Sequence, residues 1–156
     1  MGHQQSLGPN EIQRMSAGTG IRHGEFNPSK SKEVHFFQIW IEPATTRTKP
    51  SYEQLAFEPE EKKNRLKQLA GPAGGEGIAR INQDANVFVA ELGHGAQISY
   101  RLDPKRAAWV HAVRGEITVN GQALHTGDAA AVTGEAHLAL TGGDAPSSEL
   151  MLFDLG

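Results

Sequence analysis

From residue 78 onward the chain is written as short runs of alternating apolar and polar residues, and this cadence limits the fold more than any other feature. The runs are Ile78–Asn82, Val87–Leu92, Gln97–Leu102, Ala108–Val113, Glu116–Val119, Ala129–Val132, His137–Leu140 and Leu150–Leu155. Turn residues separate them at intervals of roughly 8–12 residues, the spacing of strands in a sandwich or barrel. Gly 18 and Pro 8 among 156 residues are spread along the chain as punctuation, which favours many short elements over a helical bundle. No alternation of helix and strand patterns appears, so a parallel α/β sheet is not expected, and there is no internal repeat. The sharpest local prediction is Val119-Asn120-Gly121-Gln122. Asn-Gly readily takes the two left-handed conformations that a type I′ hairpin turn requires.

The first half reads differently. Val34-His35-Phe36-Phe37-Gln38-Ile39-Trp40-Ile41 is the strongest strand signal in the chain. It is β-branched and aromatic at even and odd positions alike, so it is expected to be a strand buried on both faces. In residues 58–70, Glu60 and Glu61 precede several cations, and Leu66 and Leu69 are placed on one face of a helical pattern. Two apolar residues anchor a full helix poorly, so only a short turn near 59–63 is expected, before a loop at Gly71-Pro72-Ala73-Gly74-Gly75.

Composition removes several function classes. There is no cysteine, which excludes disulfides, thiolate metal sites and cysteine nucleophiles. Fifteen Lys and Arg against 18 Asp and Glu give a net charge of −3, so no direct nucleic-acid binding is expected. No apolar run is long enough to cross a membrane as a helix, and the first ten residues lack a signal-peptide pattern. The expectation is a soluble, cytoplasmic protein without membrane partners. No nucleophile elbow, phosphate loop or dinucleotide fingerprint is present; Ser16-Ala17-Gly18-Thr19-Gly20 precedes no helix and reads as a sharp backbone turn.

Seven histidines remain as candidates. Without thiolates, a transition-metal site must use imidazole and carboxylate, as iron, nickel or manganese centres do. His23 and Glu25 are two residues apart, so an extended backbone points both to one face. That arrangement suits half of a metal site, and equally two polar residues facing water. His111 shares a strand face with Trp109 and Val113 and is expected to be a partly buried structural histidine. His137 follows Gly134 in a pattern that offers no second His-x-His partner strand, so a second metal site is not expected. His35, His94 and His125 are assigned no function.

The run Met15-Ser16-Ala17-Gly18-Thr19-Gly20-Ile21-Arg22-His23-Gly24-Glu25-Phe26-Asn27-Pro28 is very similar to the signature stretch of the pirin family, and Gly20-x-x-His23-x-x-x-Asn27 matches half of the cupin motif. The similarity continues through residues 35–41, Pro50-Ser51-Tyr52-Glu53-Gln54, Asn82-Gln83-Asp84-Ala85 and Leu152-Phe153-Asp154-Leu155. The resemblance implies an all-β cupin fold, a double-stranded β-helix or jelly-roll barrel. It implies one complete barrel at 44–156 and a remnant of another at 1–43. Pirins resemble two tandem cupin barrels, the first holding a metal, usually iron, through three histidines and a glutamate. On that pattern His23 is the third histidine ligand and Glu25 the glutamate ligand.

The family's first two histidine ligands lie upstream of the segment that residues 2–8 resemble, and the position matching His3 is not a ligand. The resemblance therefore implies an N-terminally truncated member with an incomplete site for Fe, Ni or Mn. Its implied role is a non-catalytic interaction or regulatory module. The alternative is a metal-dependent quercetin 2,3-dioxygenase completed by oligomerisation, with Glu25 doubling as ligand and base. A third reading is a folded barrel without retained activity. With its cover absent, one face of 34–41 would be wet, so a homo-oligomer through residues 10–41 is expected, a protein partner is a further expectation, and disorder of the remnant is the alternative.

Overall fold

A computed structural model describes residues 5–156. Twelve strands follow in order: β1 (Glu11–Ser16), β2 (Ser51–Ala56), β3 (Lys67–Gly71), β4 (Ala79–Arg80), β5 (Ala85–Gly93) and β6 (Gln97–Arg101), then β7 (Ala107–Arg114), β8 (Glu116–Val119), β9 (Gln122–His125), β10 (Ala129–Thr133), β11 (His137–Gly142) and β12 (Ser147–Leu155). All eight expected runs contain a strand, although Ile78–Asn82 contracts to the two residues of β4. β1, β2, β3 and β9 carry too few alternating apolar residues to be read locally.

Ten strands form two sheets, β10-β7-β12-β5-β3-β4 and β6-β11-β8-β9. Alternation decides what lies between them. Leu150 and Leu152 of β12, Ala108, Val110 and Ala112 of β7, and Ala90 and Leu92 of β5 face inward. There they meet Ile117, Val119, Leu124, Leu138 and Leu140 of the smaller sheet. Each fully buried leucine contributes roughly 1.5–3 kcal/mol relative to exposure, and this cluster is the barrel's core. At the predicted hairpin, Asn120 (φ 49°) and Gly121 (φ 83°) are both left-handed, and Val119 pairs with Gln122.

Odd-numbered neighbours on the large sheet point the other way. Leu69, Val87, Val89 and Met151 form a second apolar cluster on its outer face, with Ile12, Ile41, Phe57, Val113 and Phe153 packed around it. Leu66 packs on the inner core and Leu69 in this outer cluster. The expectation that they share one face is therefore corrected, because the chain enters a strand there rather than continuing a helix. A single 3-10 turn at Pro59–Glu61 stands where a short turn was expected.

β1 and β2 pair antiparallel as a separate two-stranded sheet, from Glu11 with Ala56 to Ser16 with Ser51. This ladder joins residues on both sides of the boundary expected at 43/44. Residues 34–41 contradict their expectation. They form no ladder, and Val34, Phe36, Phe37, Ile39 and Trp40 are exposed. Composition announced a buried strand, but among the described residues nothing covers the outward side of the segment. Its other side meets the barrel: the Phe37 ring stands edge-on to His111 at 5.4 Å between centroids, and Ile41 joins the outer cluster. The chain is fastened beyond it by Ala44 N–H donating to Asn82 O (2.7 Å), Asn82 Nδ2 to Thr45 O (3.0 Å) and Gln83 Nε2 to Glu42 O (2.9 Å).

Candidate metal centre

The segment that carries His23 leaves β1 through a tight turn. Gly18 (φ 55°) passes so close to the returning chain that a Cβ there would lie 2.1 Å from Thr48 O. Gly20 N–H donates to Ala17 O at 2.8 Å, closing the turn. Position 18 thus needs glycine for both conformation and space. Past the turn, Asn27 Oδ1 accepts from Ser29 N–H (3.0 Å) and its Nδ2 donates to Lys32 O (2.6 Å), shaping the following loop.

Between these two turns His23 and Glu25 come together as expected of an extended backbone, with Nδ1 and Oε1 3.6 Å apart. Their side chains are 36% and 35% exposed, so an ion approaching from solvent reaches both. The pair offers one imidazole nitrogen and one carboxylate, a donor set suited to Fe, Ni or Mn. A resident mononuclear centre uses three or more protein donors. Among the described residues no group of three or more histidine, aspartate or glutamate side chains is placed to hold an ion. His3 lies outside the described residues. The two donors by themselves do not fit a resident redox metal.

The other histidines are scattered. His111 sits on the outer face of β7, in a slot of about 160 Å³ lined by Phe37, Trp109, Met151 and Phe153. His35 packs against Phe37. His94 Nδ1 lies 3.1 Å from Gly143 O, and exposed His125 stands 3.2 Å from Glu116 and 3.7 Å from Asp128. His137 is exposed beside Arg101 on the neighbouring strand.

One polar constellation has no single sequence signature. Asp154, buried near the end of β12, accepts from Tyr100 Oη at 2.6 Å and from Arg106 Nε. Arg106 Nη1 in turn donates to both Asp84 oxygens at 2.8 and 2.9 Å. Burial, then the hydrogen bond to Asp154, pushes the Tyr100 phenol well above its ordinary value. The same carboxylate holds the Arg106 guanidinium still more firmly protonated. Every charge here has a partner, so the group works as a clasp between barrel strands and not as a free acid or base. Asp84 and Asp154 fall inside stretches that carried the resemblance, which was the available signal; Arg106 and Tyr100 carried none.

The comparisons with known proteins now decide the family. A family model described as the quercetinase C-terminal cupin domain matches residues 68–155, and the pirin family model matches residues 1–41. The chain belongs to the pirin family. It is 34% identical over 155 residues to the quercetin 2,3-dioxygenase of Escherichia coli K12, covering 99% of this chain and 65% of that one. The crystal structure of YhhW from Escherichia coli superposes with a TM-score of 0.92 at 33% identity, covering 100% of this chain and 64% of that chain. YhhW in complex with nickel(II) gives 0.84 at 34% identity, covering 94% and 61%. This pirin chain thus spans a little under two thirds of these relatives. The cupin barrel expected from the sequence is its fold, and no helix of the described residues is long and apolar enough to cross a membrane.

Proposed function

We propose that this chain is a pirin-family interaction module acting in the cytoplasm, with an incomplete metal site and no dioxygenase activity of its own. What carries the reading is the donor count: His23 and Glu25 stand together at 3.6 Å without a third ligand among the described residues. An exposed aromatic segment beside the barrel supports a binding role, with protein rather than nucleic acid as partner. The test is equilibrium dialysis of the whole chain against Fe(II) and Ni(II), followed by metal analysis and quercetin absorbance. The expected result is metal retention well below one ion per protomer and quercetin loss equal to that of the metal-only blank. One tightly held ion per protomer, with quercetin cleaved by the wild type and spared by His23→Ala, overturns it.

A second reading, a quercetin 2,3-dioxygenase-type oxidoreductase, has a specific observation in its favour. The two ligand types that the resemblance assigns do meet, and relatives named quercetin 2,3-dioxygenase cover the chain. Two copies around a two-fold axis would supply two imidazoles and two carboxylates to one ion. Its mark in the same experiment is half an ion per protomer together with turnover.

A further inference from the structure

The β8–β9 hairpin turns at Asn120-Gly121, the one Asn-Gly pair in the sequence. Asn-Gly is the pair most disposed to lose its amide without an enzyme, because glycine brings no Cβ to crowd its own nitrogen. The glycine nitrogen gives up its proton to solvent and attacks Cγ of the asparagine. A cyclic imide forms as the Cγ–Nδ2 bond breaks, and Nδ2 leaves as ammonia carrying a proton from solvent. Water then opens the imide at either carbonyl, giving aspartate or isoaspartate; no oxidation state changes. Two features of the structure stand against these steps. Asn120 (φ 49°) and Gly121 (φ 83°) are both left-handed, as the hairpin requires. The Asn120 side chain is also turned across to β11: Oδ1 accepts from Ala139 N–H at 2.8 Å and Nδ2 donates to His137 O at 3.3 Å. With Asn120 N–H donating to Ala139 O at 2.9 Å, the residue extends the β8–β11 ladder by one rung beyond Val119 and Leu140.

We propose that Asn120 is a spontaneous deamidation site held shut by β11, reacting when the β8–β9 hairpin lifts from that strand. Ring closure needs the Asn120 side chain to swing back over its own backbone, and that movement parts both side-chain bonds. Asn120 and Gly121 are exposed, so solvent water and base already reach the pair, and geometry is the restraint. The product cannot fully restore the contact. A carboxylate has no N–H for His137 O, and isoaspartate lengthens the backbone where two left-handed residues close the turn. Each lifting of the hairpin therefore exposes the pair to a permanent change, and the modified fraction records how often the strands have parted. None of this depends on whether His23 and Glu25 hold a metal.

The experiment follows Asn120 in the whole chain by peptide mass spectrometry during incubation at mildly alkaline pH, with the aspartate and isoaspartate products separated. Deamidation in buffer is expected to be about thirtyfold slower than in unfolding urea, since each of two hydrogen bonds contributes a net factor of about five. Below the unfolding transition the rate rises with urea in step with hydrogen exchange of the Ala139 amide, which reports the same local opening. Asn120→Gly keeps a residue suited to the left-handed turn while removing both side-chain bonds, and it speeds Ala139 exchange about fivefold. Should circular dichroism show that variant unfolded, the urea series on the wild type decides alone. A rate in buffer equal to that in urea overturns the proposal, and so does the absence of product in urea. A rate that ignores urea while Ala139 exchange accelerates, or exchange left unchanged by Asn120→Gly in the folded chain, overturns it equally.

Discussion

Residues 67–155 and residues 5–50 solve the same problem of burying apolar side chains with opposite success. In β5, β7 and β12 every second side chain enters a closed interior, and the backbone between them is saturated by ladders to two neighbours. In residues 17–50 the apolar content is at least as conspicuous, yet Phe26, Phe36 and Trp40 remain in solvent. What that region has is local fastening: the Gly18 turn, the Asn27 loop and the amides of Asn82 and Gln83. The difference teaches that side-chain hydrophobicity orders a chain only where a second layer exists to receive it.

Three measurements break or sharpen this comparison. The largest effect belongs to the barrel: Leu152→Ala, at a position with no exposure, lowers the free energy of unfolding in urea by about 3 kcal/mol. A loss under about 1 kcal/mol would mean that the interior is less tightly filled than its burial implies. A smaller effect comes with alkali. The folded state holds the Tyr100 proton above the ordinary tyrosine value of 10.0, so it binds more protons than the unfolded chain in that range. The contribution is complete below the unfolded value and is lost as pH rises toward the folded one. Urea midpoints therefore fall above about pH 10, and Tyr100→Phe flattens the decline. The smallest effect is in the arm, where Phe26→Ser changes the free energy of unfolding by no more than about 0.5 kcal/mol. A larger shift would show that Phe26 has a receiving layer after all.

How much was legible follows from where the information sits. The Asn120-Gly121 turn was readable because its conformational demand is met by two adjacent residues. The strand that leads into it, β8, was readable because alternation is local. The His23–Glu25 juxtaposition followed from a spacing of two on extended backbone. By contrast, Val34–Ile41 announces burial from composition, but burial depends on an opposite layer that no residue within the run encodes. The Tyr100–Asp154–Arg106–Asp84 clasp escaped for the same reason. Its members lie on three separate stretches, at 84, 100–106 and 154, and only the closing of the sheets brings them within hydrogen-bond reach.

Thirteen buried apolar side chains form the cluster between the two sheets, with Ser148 the fully buried polar residue among the described ones. Mutational drift at those positions has only volume and shape to preserve, so aliphatic exchange among them is tolerated as long as the filling is kept. Those thirteen positions give chemistry no foothold. Any new activity that this lineage recruits on residues 67–155 must begin at the rims and outward faces, with the barrel serving as a pedestal.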